Sequence, residues 1–245
     1  MGKDIDMKTT FWGAMVLCAL AGTTQAQGFE SADLGFQLYK YDEGGNIDTT
    51  FAVLTADASY LITPRAGVQV GLAYSHEVDV SQAWLSVGDT RAATIHAFVD
   101  PTDSTRIGLM IGADSYNEGD YIYALEGTYV ADRYRVEARV GRFESDIEPA
   151  SLAEISTAFD LTGRLQGTGS YQRVTYDGGF GYFELAALGL GYDITDRLTG
   201  YANYGNTVND FGGGSVFEGN QITLGVTMAI GGGQNPRAFT YNPFF

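Results

Sequence analysis

One short pattern recurs along the chain wherever it reads as reversing direction: Tyr60-Leu-Ile-Thr-Pro-Arg65, Tyr129-Val-Ala-Asp-Arg133, Phe159-Asp-Leu-Thr-Gly-Arg164 and Tyr192-Asp-Ile-Thr-Asp-Arg197. A looser copy runs Val99-Asp-Pro-Thr-Asp-Ser-Thr-Arg106. Each opens on an aromatic or apolar residue, passes through turn-formers and ends on one arginine. An alternating segment then follows, such as Ala66-Gly-Val-Gln-Val-Gly-Leu-Ala-Tyr74. The marker arginines Arg65, Arg106, Arg133, Arg164 and Arg197 stand 41, 27, 31 and 33 residues apart. Fixed-period copies of one supersecondary unit constrain a fold more than composition does, and this unit is a β-hairpin. Short turns at one end and longer, variable loops at the other are the pattern of a transmembrane β-barrel.

The segments between markers alternate with period two, as strands with a lipid face and a lumen face must. In 134–140, Tyr134, Val136, Ala138 and Val140 share one face and Arg135, Glu137 and Arg139 the other. In 221–230, Ile222, Leu224, Val226, Met228 and Ile230 oppose Gln221, Thr223, Gly225 and Thr227. Five turns imply ten strands, at 50–62, 66–77, 89–99, 105–114, 120–131, 134–145, 155–162, 164–176, 181–193 and 197–207. Segments 32–41 and 219–230 bring the expected count to twelve. The segment 155–162 is the weakest, because Pro149–Ile155 also reads as a short loop helix, and ten strands is the alternative count. A soluble β-sandwich would place large apolar residues on its inner face, whereas the non-apolar face here is Gly, Ser, Thr, Gln and paired charges. Tyr60, Tyr129, Phe159 and Tyr192 recur four or five residues before the marker arginine, the spacing expected of an aromatic girdle at a membrane interface. The fold class is therefore all-β, an antiparallel up-and-down transmembrane barrel with short periplasmic turns and longer acidic extracellular loops.

The N-terminus points to export. Lys3 and Lys8 precede the apolar run 11–21, and Thr24 and Ala26 stand at the −3 and −1 sites of a secretory signal peptide, 1–26. That run is about half the ~20 residues a spanning helix needs. The sole cysteine, Cys18, lies within it, so a mature chain beginning at Gln27 has neither a disulfide nor a cysteine metal site. The expected division is a barrel over 27–230, followed by a Gly-rich linker and C-terminal tail over 231–245.

The signal peptide, the acidic Gly/Tyr-rich strands and the short Asp/Arg turns together resemble a small Gram-negative outer-membrane protein of the porin-like superfamily. The resemblance implies residence in the outer membrane of a Gram-negative bacterium. It also implies contact with outer-membrane lipids including lipopolysaccharide, and insertion by the barrel assembly machinery. Such proteins usually end on the last strand and a terminal aromatic. Here the last clear strand stops near Ile230 and a tail with Pro243 and Phe245 follows. Proline removes a ladder donor, which leaves the tail three places: the periplasm, the lumen, or an envelope protein partner.

The formal net charge is −16, with acids gathered in the expected outer loops: Asp42, Glu43, Asp48, Glu77, Asp79, Glu118, Asp120, Glu144, Asp146, Glu148 and Glu154. Such a run of acids reads as a solvated surface, or more sharply as one that attracts cations to the outer mouth or bridges to phosphorylated outer lipids through divalent ions. It disfavours nucleic acid, whose phosphates need basic patches. If Asp132-Arg133 is a two-residue turn, Glu126 lies opposite Arg139 and Thr128 opposite Glu137, all facing the lumen. Arg106, Glu126, Arg135, Glu137 and Arg139 are thus the lumen or pore candidates, as structural ion pairs or as a charged constriction. Ser75-His76-Glu77 holds hydrolase residue types, but neighbours on a strand face opposite sides, and His96 has no Ser or Asp beside it. No catalytic residue, cofactor or metal ligand is assigned. The expected function is a passive channel for ions or small polar solutes. The alternative is a filled barrel serving as anchor, adhesin or subunit of an envelope assembly.

Overall fold

The computed structural model describes residues 28–43, 48–80, 88–115, 121–144, 149–179, 181–213, 216–231 and 235–240. The signal-peptide boundary and the loop acids Glu118, Asp120, Asp146 and Glu148 lie outside the described residues. Twelve strands alternate along the chain: β1 (Phe29–Asp42), β2 (Asp48–Thr63), β3 (Ala66–Val80), β4 (Thr90–Thr102), β5 (Thr105–Asp114), β6 (Tyr121–Val130), β7 (Tyr134–Glu144), β8 (Ala150–Asp160), β9 (Leu165–Tyr176), β10 (Tyr182–Thr195), β11 (Leu198–Asp210) and β12 (Val216–Ile230). Each pairs antiparallel with its sequence neighbours, and β1 pairs with β12 from Ala32↔Ile230 to Asp42↔Asn220, closing the barrel. Closure leaves no unpaired sheet edge.

Twelve is the expected count, ten strands from the hairpin markers and two from the flanking segments, and the ten-strand alternative fails between β7 and β9. Residues Ala150–Asp160 form a strand rather than a loop helix, paired with β7 and β9 along its length. The physical reason is closure: without this strand β7 and β9 would each carry a row of unsatisfied backbone groups within the bilayer.

The turn motif has a local cause. Thr63, Thr162 and Thr195 each accept, through the side-chain hydroxyl, the main-chain N–H of the marker arginine two residues on, at 3.3, 3.5 and 3.2 Å. Thr102 does the same for Ser104 at 3.3 Å. A hydroxyl that caps a backbone donor holds a tight turn. In the β6–β7 turn, Ala131 N–H donates to Tyr134 C=O at 2.8 Å across Asp132-Arg133. The arginines then lace neighbouring turns together: Arg65 donates to Pro101 C=O at 3.2 Å and Arg133 to Asp160 C=O at 2.7 Å.

Alternation sorts the side chains as expected. The outer surface carries Leu54, Ile95, Leu109, Leu125, Leu188 and Leu224, each more than half exposed, in a belt around the barrel. An apolar band of that extent suits lipid rather than water. Tyr60, Tyr129, Phe159 and Tyr192 point outward at the short-turn end of the belt. A second aromatic set, which the turn spacing does not reveal, marks the far end. There Tyr74, Tyr123, Tyr171 and Tyr204 donate to Asp89, Glu144, Glu184 and Asn220 at 2.7 to 2.9 Å.

Candidate functional site in the lumen

The inward face of β5–β8 is charged at mid-height and its members meet. The register pairs Glu126 with Arg139 and Thr128 with Glu137, as the two-residue turn requires. Arg139, only 1% exposed, contacts three carboxylates: Glu126 and Glu137 at 3.3 Å and Glu154 at 2.9 Å. Glu126 also meets His96 Nδ1 at 2.5 Å, while His96 Nε2 lies 2.9 Å from Thr94 Oγ1. Arg135 donates to Glu137 at 2.6 Å. Buried charges persist where each is paired and hydrogen-bonded, and this cluster meets that condition. Glu154 is the correction: it is no loop acid but the inward-facing β8 partner of Arg139.

Arg106 also departs from the turn reading. It lies one residue inside β5 and its side chain is fully buried in the lumen. There it donates to Asp100 at 2.8 and 3.0 Å and to Glu30 at 2.9 and 3.0 Å, with Phe98 stacked against the guanidinium at 3.6 Å. The other marker arginines, Arg65, Arg133, Arg164 and Arg197, stay exposed at the turns.

Residues 235–240 of the C-terminal tail lie in the lumen, one of its three expected places. Asn235 C=O accepts Ala238 N–H at 3.1 Å, which folds Asn235–Ala238 into a turn. Arg237 then reaches the charged cluster, 3.3 Å from Glu30 and 3.1 Å from Asp100. Phe239 is 1% exposed and stacks on His96 with ring centroids 5.6 Å apart. Its main chain is held by Gln69, which donates to the carbonyl at 2.6 Å and accepts the N–H at 3.0 Å. Thr240 donates N–H and hydroxyl to Glu137 at 3.0 and 2.9 Å, and its carbonyl accepts from Arg139. The small residues of the lumen face make this possible. A Cβ on Gly108 would fall 2.6 Å from the Phe239 ring. Gly112 likewise makes room for Ile122 and Gly225 for Tyr201, so these glycines seat neighbouring side chains rather than widen a path.

Opposite the segment the lumen is open. A cavity of about 760 Å³ runs from the short-turn rim to mid-height. Its wall on β9, β11 and β12 is mostly neutral and polar, with Gln166, Thr168, Gln172, Asn203 and Thr223. Asp33 and Asp57, register partners on β1 and β2, add two carboxylates. Above it the lumen turns apolar where Met110, Ile122, Leu152 and Val174 pack together. Gln69 and Phe239 carry no sequence signal of their role, and Gly108 reads only as a small inward-facing residue of β5; the closed barrel brings the three together.

Ser75 and His76 lie on opposite faces, Ser75 buried and His76 exposed and 2.7 Å from Asp89 at the outer rim. Hydrogen bonds from His76 and Tyr74 hold the Asp89 carboxyl below its ordinary range.

No protein-family model and no curated protein matches the chain. Solved structures match its fold. The NanC porin aligns at a TM-score of 0.59 and 8% identity, covering 80% of this chain and 98% of its own. The KdgM porin, solved with disordered oligogalacturonate, aligns at 0.54 and 10% identity with the same coverage. An outer-membrane channel from Pseudomonas putida F1 aligns at 0.57 and 12% identity, covering 83% and 96%. At such identities the likeness is one of fold, and on that ground the chain is a closed twelve-stranded β-barrel with the architecture of these porins.

Proposed function

We propose that the protein is a porin-like channel in the outer membrane of a Gram-negative bacterium, passing ions or small polar solutes along the part of the lumen that residues 235–240 leave open. The observation that carries this reading is the 760 Å³ cavity, whose wall on β9, β11 and β12 presents amides and hydroxyls and to which Asp33 and Asp57 add carboxylates. Groups of that kind hydrate a solute as it passes. Asp33 and Asp57 favour cations or neutral solutes and would repel an acidic sugar such as the oligogalacturonate found in complex with the KdgM porin. The acidic outer rim would face lipopolysaccharide, bridged by divalent cations. A second reading, a barrel serving as anchor or envelope subunit, draws support from residues 235–240, which occupy part of the lumen.

Bilayer recordings of the refolded protein decide between them. The channel reading expects small, stable conductance with a modest preference for cations that weakens as salt rises and screening shortens the reach of the carboxylates. A folded protein with no conductance, with or without a docked tail, refutes the pore and leaves the anchor role.

A further inference from the structure

The lumen holds the C-terminal segment chiefly by its main chain. Gln69 satisfies both backbone groups of Phe239, as a neighbouring strand would, at 2.6 and 3.0 Å. Glu137 and Arg139 take the N–H and carbonyl of Thr240, and Arg135 donates to the carbonyl of Ala238 at 2.6 Å. Three side chains of the segment are read as well, the Thr240 hydroxyl by Glu137 at 2.9 Å and two others more closely. Arg237 sits between Glu30 and Asp100, and the Phe239 ring fills the slot between His96 and Gly108. Gln69, His96 and Arg139 are each no more than 1% exposed. Buried donors and acceptors stripped of partners are costly, so these groups favour any chain that presents the same amides, guanidinium and ring.

We propose that the lumen contains a peptide-binding site, built by Gln69, His96, Gly108, Glu137, Arg139 and the Glu30–Asp100 pair. Its ligand is a short peptide whose Pro-Arg turn places an arginine two positions before an aromatic residue, and the chain's own tail is the resident occupant. A peptide reaches the site only through the lumen, so the inference rests on the channel reading for access. Main-chain recognition tolerates varied sequence, while the two carboxylates demand a cation and the slot demands a flat ring.

The test uses the full-length chain carrying Arg237→Ser and Phe239→Ser, which removes the cation and the ring of the resident tail and so weakens its hold without touching the site. A fluorescent peptide Asn-Pro-Arg-Ala-Phe-Thr is titrated against it in detergent and read by anisotropy. Saturable binding is expected, at least tenfold weaker with glutamate in place of the peptide's arginine and at least tenfold weaker with alanine in place of its phenylalanine. The wild-type protein, its site already occupied, should bind at least tenfold less. If the double variant lacks the strand circular dichroism of the wild type, Arg237→Ser alone replaces it. No saturable binding to a folded variant, or equal binding of the glutamate peptide, overturns the site. Conductance without peptide binding refutes this inference and leaves the channel. Peptide binding without conductance upholds the site and refutes the channel.

Discussion

Replacing Gly108 by valine should evict Phe239 from its slot. A Cβ at Gly108 would stand 2.6 and 2.8 Å from two ring carbons of Phe239 and 3.1 Å from Glu126 Oε1. Ordinary carbon contacts begin near ~3.5 Å, so the ring must retreat by roughly an ångström. It has nowhere to go, because His96 stacks on it at 5.6 Å and Gln69 clamps its main chain. Eviction exposes one phenylalanine, about 1.5–3 kcal/mol, and breaks two main-chain bonds worth about 0.5–1.5 kcal/mol each. The total, about 2.5–6 kcal/mol, shifts the docked-to-released ratio by roughly two to four powers of ten. The barrel itself should persist, since β5 pairs through its backbone and valine suits a strand. Two measurements follow the tail: bilayer conductance, expected to rise, and maleimide labelling of Ala238→Cys, expected to quicken at least tenfold. If both stay unchanged while strand circular dichroism and heat-resistant gel mobility match the wild type, Phe239 is not held in this slot.

Three further outcomes check the inside–outside assignment, the register and processing. Leu224→Arg, on the lipid face, should cost about 2–4 kcal/mol in refolding titrations, whereas Thr223→Arg, one residue along and facing the cavity, should cost well under half as much. The reverse order would invert the two faces. Cysteines at 126 and 139, register partners, should cross-link, and cysteines at 126 and 138 should not. Efficient bridging of the second pair would reveal a slip of one residue, which turns every side chain to the other face. N-terminal mass spectrometry of the extracted protein should begin at Gln27, and retained upstream residues would refute the signal-peptide boundary.

Much of the barrel is legible along the chain because its rules are local. Strand alternation has a period of two, turn residues announce themselves, and a two-residue turn sets the pairing of its hairpin. Tyr134–Val140 therefore reveals its faces from sequence, and Asp132-Arg133 alone dictates that Glu126 opposes Arg139. Local rules also misled where they lacked a partner strand. Pro149–Ile155 has helical propensity, yet closure of the sheet overrides it. Glu154 follows a run of loop acids but faces inward on β8.

What only the tertiary structure decided is every contact made across the lumen. Arg106 meets Glu30 across 76 residues of sequence, and Gln69 meets Phe239 across 170. No period or turn encodes such pairs, because they depend on the circumference and stagger of the closed sheet. The tail illustrates the limit. Its proline makes it a poor central strand and leaves three places for it, and each is compatible with the same local chemistry. The choice falls to a slot over Gly108, a histidine ring and a glutamine amide contributed by three strands, which converge only when the barrel closes.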